Sequence, residues 1–271
     1  MIRRPYSVLS LLLLLLLSGG CQGQFASRGQ PPEPRPAFST TAPIWQHLEQ
    51  RRLAYRNLKG LAQVRLRLST GRGVLDNTVV VLDRFERIRL EGFGPFGQLV
   101  FLLVSADQRF ALYLPYERHM ITGPASPQQF VRFFGLAVAP EILPYLLVGD
   151  VPFAAWPEAA ALTYIPDQGL YFWQGTVPPQ SGSYRVWVDA ERLLPVRLER
   201  LDAANHVELE VTYENFSALG GFVLPYRITL RQPATAQQVV WAYDEVQLNV
   251  GVAAELFRIR VPPGTERVEL P

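Results

Sequence analysis

The sequence predicts a mainly β protein: one curled antiparallel sheet with a few short helices. Three observations carry that prediction. Short runs in which apolar and charged residues alternate recur from Val64 almost to the C-terminus. Turn chemistry separates them, since 23 prolines and 20 glycines accompany an apolar content of 48%, a mixture suited to many short strands. Segments with helical character are few. A sheet of so many strands accumulates twist and must curl. Its apolar concave face then needs more cover than those helices supply, which points to a lipid-sized pocket. A second sheet would meet the same need.

The first residues stand apart from the fold. Met1 to Arg4 gives a positive start, Val8 to Leu17 a short leucine-dominated core, and Ser18-Gly19-Gly20-Cys21 follows. That apolar run is too short to span a bilayer as a helix, so it reads as a signal peptide over residues 1–20. The small residues before Cys21 resemble a bacterial lipobox, which implies lipidation of Cys21; an ordinary secretory peptide cleaved nearby is the other reading. Several acyl chains at about 0.8 kcal/mol per buried methylene would anchor the protein firmly. Cys21 is the only cysteine, so the chain has no internal disulfide and no cysteine metal site. The formal charge of +2 includes Arg3 and Arg4, so without them the remainder is neutral. A neutral chain gives no reason to expect nucleic acid as a partner.

Residues 21–42 read as a tether. Gln30-Pro31-Pro32-Glu33-Pro34-Arg35-Pro36 can form neither helix nor central strand, and prolines stiffen such a linker. Gln22 after the cysteine, where aspartate would differ, resembles an outer-membrane destination. The remainder, 43–271, is expected to be one domain.

Ile44 to Leu58 is the first expected helix, with Pro43 in its first turn and Gly60 beyond its end. Trp45, Leu48, Tyr55 and Leu58 fall near one face, while Glu49, Gln50, Arg52 and Arg56 fall mostly elsewhere. Strands are then expected at Val64–Leu68, Val74–Leu82, Phe85–Leu90, Leu99–Val104, Phe110–Leu114 and Arg118–Thr122. Tight turns make an antiparallel meander the default. The Leu99–Val104 strand is apolar on both faces, so each face needs a cover or a cavity.

Between the third and fourth strands lies Leu90-Glu91-Gly92-Phe93-Gly94-Pro95-Phe96-Gly97-Gln98. Three glycines and a proline make a turn, yet it carries two phenylalanines that a solvated loop gains nothing by exposing. Either both rings fold back onto the core, or Phe96 at the tip touches lipid.

Two unusually apolar helices interrupt the meander. One starts at Ser126-Pro127 and carries Phe130, Phe133 and Phe134; the other runs from Pro140 through Leu143, Leu146 and Leu147 to Gly149. Strands resume at Leu162–Ile165, Leu170–Gln174, Tyr184–Asp189, Pro195–Leu201, Val207–Tyr213, Leu224–Arg231, Val239–Val250 and Leu256–Val261.

This order of elements resembles the LolA/LolB superfamily of lipoprotein carriers, with LolB nearer because of the lipid anchor. Gly94-Pro95-Phe96-Gly97 matches a proline–leucine–glycine loop, Leu143 to Gly149 a leucine-rich helix ending in glycine, and Phe222-Val223-Leu224-Pro225 the start of a LolA-like strand. The resemblance covers roughly residues 44–262. It implies an incomplete antiparallel barrel with a helical lid and a cavity for acyl chains. It also implies a membrane-contact loop at Phe93, Pro95 and Phe96. Together with the apolar pattern, it suggests a cavity lined by Phe101, Leu103, Leu112, Phe130, Phe133, Phe134, Leu143, Leu146, Leu147, Trp173 and Trp187.

Catalysis has little support in the sequence. His47, His119 and His206 share no metal-ligand spacing, and there is neither a Gly-x-Ser-x-Gly elbow nor a phosphate-binding glycine loop. Trp156, Tyr171, Trp173, Trp187 and Trp241 suit either a sugar- or peptide-binding surface or a core and pocket wall. The expectation is therefore a non-enzymatic outer-membrane lipoprotein facing the periplasm, without cofactor or metal. Its partners would be the membrane, acyl chains of lipoproteins or lipids, and a periplasmic carrier protein. The alternative is an envelope-assembly lipoprotein that uses the same fold to bind protein.

Overall fold

A single sheet organises the chain from Asn57 to Glu269 in a computed structural model, which describes residues 38–68, 71–126, 128–129, 138–153, 161–176 and 183–271. Its strands are β1 (Asn57–Leu68), β2 (Gly71–Asp83), β3 (Arg87–Phe93), β4 (Leu99–Ala106), β5 (Arg109–Leu114), β6 (His119–Pro124) and β7 (Thr163–Ile165). They continue as β8 (Leu170–Thr176), β9 (Ser183–Asp189), β10 (Pro195–Leu201), β11 (Val207–Leu219), β12 (Phe222–Gln232), β13 (Gln237–Leu248) and β14 (Glu266–Glu269). The spatial order is β14-β6-β5-β4-β3-β2-β1-β13-β12-β11-β10-β9-β8-β7. Two meanders therefore meet at β1, which pairs antiparallel with β2 on one side and β13 on the other. The sheet curls without closing, and its fold class is the one the alternation predicts.

Helix α1 (Ala42–Ala54) lies against the inner face through Ile44, Trp45 and Leu48. It is shorter than the sequence pattern suggests, because Leu58 belongs to β1. Residues 58–59 satisfy two strand ladders at once, opposite 81–82 and 247–248. That double pairing outweighs the local helical period, and Tyr55 is already extended. The Pro140 segment forms a 3-10 turn over Pro140–Ile142 followed by α2 (Leu143–Leu147). The segment expected to be helical from Ser126 to Leu136 lies almost wholly outside the described residues.

The expected strand at Leu256–Val261 is absent. Ala254–Phe257 is a 3-10 turn, and the chain crosses the outer face of the first meander instead. Phe257 packs there with Val81, Leu102 and Val104, joined by half-buried Val252, Leu256 and Ile259. This layer explains the two-faced apolar pattern of β4: Leu103 faces the main core while Leu102 and Val104 face the C-terminal strap. Arg89 donates to the Leu256 carbonyl, and the Arg87 guanidinium lies 4.8 Å from the Phe257 ring centroid. The strap ends as β14, paired parallel to β6.

The closed end of the curl is held by a buried ionic latch. Asp150 is 0% exposed, and Arg52 of α1 grips it bidentately, Nε to Oδ2 at 2.8 Å and Nη2 to Oδ1 at 2.9 Å. The same guanidinium donates to the carbonyls of Val151 and Phe153 and lies over the Trp45 ring. Arg51 donates to the Val148 carbonyl. The sequence pattern places Arg52 away from the apolar face; it turns inward because the Asp150 carboxylate and the carbonyls of Val151 and Phe153 converge on it. Burial pulls the Arg51 guanidinium below its ordinary value, and Asp150 counteracts this. Gly149 has φ +72°, and a Cβ there would stand 2.6 Å from Pro225 Cδ, so only glycine fits both the turn and the contact. Tyr213 and Tyr243 donate to the carbonyls of Asp150 and Leu147 from the sheet below.

Removing one partner of a buried pair leaves an uncompensated charge. Asp150→Ala is therefore expected to cost about 3–5 kcal/mol, read as a lowered urea midpoint with unchanged slope. The two tyrosines add a pH dependence. Burial pushes both hydroxyls well above their ordinary value, so the native state holds its phenolic protons more tightly than the unfolded chain does. Stability is then fully present below about pH 10 and falls as pH rises past that value. Alkaline titration should show these tyrosines ionising together with loss of tertiary circular dichroism. Tyr243→Phe should flatten that decline.

Candidate functional site: an apolar cavity beneath a protruding phenylalanine

Strand register places the functional side chains. The β3–β4 turn, the Leu68 and Gly71 ends of β1 and β2, the β5–β6 turn at 115–118 and the β12–β13 turn at 233–236 all lie at one end of the sheet. The latch lies toward the other end, where α1 enters β1. Between them is a cavity of about 300 Å³. Its floor is fully buried Leu103, Leu112 and Leu147, and its upper wall is half-buried Leu66, Leu68, Val100 and Leu114. Val239, Trp241 and Leu230 supply the wall from the second meander. The lining is apolar save for two polar side-chain groups, the Thr78 hydroxyl and the Trp241 indole nitrogen. Thr78 Oγ1 is buried without a hydrogen-bond partner.

A β-bulge shapes the wall nearest the turn. Gly92 opposes Phe101 while Phe93 opposes Leu99, leaving Val100 as the extra residue. Val100 and Phe101 consequently both face the cavity. A Cβ on Gly92 would come within 2.4 Å of the Phe101 ring, so this glycine lets the ring lie flat over the backbone.

The turn itself is rigidly tied. Gly97 donates to the Gly94 carbonyl at 2.9 Å, Gly94 to the Gln98 carbonyl at 2.9 Å, and the Phe96 N–H to Gln98 Oε1 at 3.0 Å. Phe96 is 93% exposed at its tip. Pro95 is exposed beside it, and Phe93 is half-buried. Tyr116, in the β5–β6 turn at the same end, is 71% exposed. The sequence reading missed Tyr116, although an aromatic residue within Pro115-Tyr116-Glu117-Arg118 between two strands was a visible signal.

Of the residues expected to line a cavity, Phe101, Leu103, Leu112, Leu143 and Leu147 are brought together on its wall. Leu146 and Trp173 are buried in the core away from it; Trp173 meets Phe153 edge-on. Trp187 is a correction: on β9 it alternates outward between buried Val186 and Val188, packs on Phe172 and lies under Arg197. Cys21, Phe130, Phe133 and Phe134 lie outside the described residues. Val64, Leu66 and Leu68, whose alternation was evident, were not assigned to the cavity by the sequence reading.

No described cluster of three or more His, Cys, Asp or Glu residues could hold a metal ion. Burial, then Arg51, lowers the pKa of His47; His119 meets Glu117 and Glu266, and His206 meets Asp202. Among the described residues no helix is long and apolar enough to cross a membrane.

No protein-family model matches the chain, and no curated protein matches it by sequence. Solved structures do match it in three dimensions. A LolA superfamily protein from Nitrosomonas europaea superposes with a TM-score of 0.59 at 15% identity, covering 82% of this chain and 99% of its own. The fold is LolA-like. A domain described as an outer membrane lipoprotein-sorting protein, from Vibrio parahaemolyticus, gives 0.58 at 12% identity over 80% of this chain and 95% of its own. A DUF1329 family protein from Desulfovibrio piger gives 0.55 at 13% identity over 82% and 98%. Two motifs behind the resemblance touch in this LolA-like fold, Gly149 at the end of one and Pro225 at the end of the other.

Because Phe96 is solvent-exposed and its turn is held by backbone groups and Gln98, Phe96→Ser should leave stability within about 0.5 kcal/mol of the parent. Gly92→Val should displace the Phe101 ring and destabilise by about 1–3 kcal/mol. Thermal unfolding of the two variants side by side checks both expectations.

Proposed function

We propose that the protein is a non-enzymatic, membrane-anchored carrier that receives the acyl chains of lipoproteins or related lipids and passes them to the outer membrane. The observation that carries this reading is the pairing of an apolar cavity with an exposed phenylalanine in the turn beside its upper wall. A cavity of about 300 Å³ is at the lower end of the size of ligand pockets, suited to part of a hydrocarbon tail. Each methylene moved into it from water contributes about 0.8 kcal/mol. The unpaired Thr78 hydroxyl offers one donor to an ester or amide carbonyl at the head of such a tail. Phe96 would enter the bilayer and shorten the aqueous step between cavity and membrane. Cys21, in this reading, carries the lipid anchor, and the part of the tether that precedes Phe38 gives the folded body its reach. A periplasmic carrier protein would deliver the cargo. The LolA-like fold and the lipoprotein-sorting description of one structural neighbour support the reading.

The test uses delipidated protein and a fluorescent fatty-acyl probe. One saturable site is expected, with affinity lowered at least about tenfold by Leu66→Trp, which fills the upper cavity. Phe96→Glu should leave probe binding intact and abolish transfer of a bound lipoprotein to vesicles. Absence of saturable binding, or transfer unaffected by Phe96→Glu, would overturn the proposal.

A further inference from the structure

The outer face of the sheet carries a row of cross-strand neighbours: Gln174, Arg185, Glu199, Glu210, Arg231, Gln238, Arg67 and Arg72. Along the second meander the charges in this row cancel. Arg185 bonds Glu199, Arg231 lies 3.8 Å from Glu210, and Arg197 bridges both glutamates. Past Gln238 the cancellation stops. Arg67 and Arg72 face each other directly on β1 and β2, an arrangement of like charges that destabilises a strand pair. Arg65 is the next outward residue on β1, and it donates to the side-chain oxygen of the neutral Gln63 at 2.9 Å. The three arginines line a shallow depression of about 250 Å³ with Leu66, Gly73, Val74, Gln238 and Val240. Among the described residues no carboxylate lines it. Of the acids on this face, Glu210 is already shared by two arginines, and Asp76 lies farther along β2, outside the depression.

We infer that this depression binds the phosphate of a lipid headgroup at the membrane surface. Guanidinium groups in a fork suit phosphate oxygens and form charge-assisted bonds with them, and an anion between Arg67 and Arg72 relieves their repulsion. Position selects a membrane lipid as the source. The depression sits at the end of the sheet that carries Phe96 and Tyr116, and Val74 within it is itself 49% exposed. An exposed aromatic at the bilayer interface and arginines at headgroup level are complementary demands of one docked orientation. The inference rests on the carrier reading for that orientation, but its chemistry is read separately.

The full chain in a non-ionic detergent is titrated calorimetrically with dihexanoyl phosphatidylglycerol, dihexanoyl phosphatidylcholine and inorganic phosphate. The two lipids share their acyl chains, so the cavity contributes equally to both. Phosphatidylglycerol is expected to bind about tenfold more tightly than phosphatidylcholine, with the difference shrinking as salt is raised. The double variant Arg67→Gln, Arg72→Gln should erase that difference while leaving fluorescent acyl-probe binding unchanged. The double lysine variant at the same positions should retain part of it. These side chains are exposed, so the variants keep the fold. Equal binding of the two lipids, or a preference that survives the glutamine variant, overturns the inference. Inorganic phosphate binding as tightly as phosphatidylglycerol overturns the assignment to a lipid headgroup. Loss of acyl-probe binding with the headgroup preference intact would instead count against the carrier reading alone.

Discussion

Everything at the closed end of the molecule depends on Arg52 holding Asp150. A carboxylate with no solvent contact is tolerable only when its oxygens are filled, and here they are, by two guanidinium nitrogens and the Val151 N–H. The pair ties α1 to the segment that follows α2, and Tyr213 and Tyr243 tie that segment to the sheet. Helix, segment and sheet are thereby fixed together, and the cavity lies between this latch and the β3–β4 turn.

The two meanders solve different problems with the same alternation. The second keeps an ordinary outer face, where arginines and glutamates neutralise one another across strands. The first has a dry outer layer under the strap, so β4 is enclosed on both sides. That difference leaves β4, which follows the turn that carries Phe96, sandwiched between core and strap.

Much of this was legible in the residues. Alternation located nearly every strand, and the mismatch between apolar sheet and few helices anticipated unfilled space. The Gly94-Pro95-Phe96-Gly97 turn was recognised as anomalous from composition alone. What failed had a common cause, namely competition from partners distant in sequence. Leu58 reads as helical until β2 and β13 both claim its backbone. Leu256 and Phe257 read as strand until the outer face of β4 offers them burial. Arg52 reads as lying away from the apolar face because nothing local shows that Asp150, 98 residues later, waits beneath it. Trp187 is expected in the cavity from the resemblance and the apolar pattern, whereas its place between inward-facing Val186 and Val188 directs it outward. The arginine row escaped notice because its members are scattered from Arg67 to Arg231 and become neighbours only through register.

A curled sheet that does not close keeps two free margins, each a template on which a foreign strand could assemble. Here the two ends of the folded unit occupy them. The C-terminal residues Glu266–Glu269 lie along β6, and at the opposite margin Thr40 bridges Ala161 while the Leu162 N–H donates to the Ser39 carbonyl. The sheet stays open while β6 and the Ala161–Leu162 edge are covered by segments from the two ends of its own folded unit.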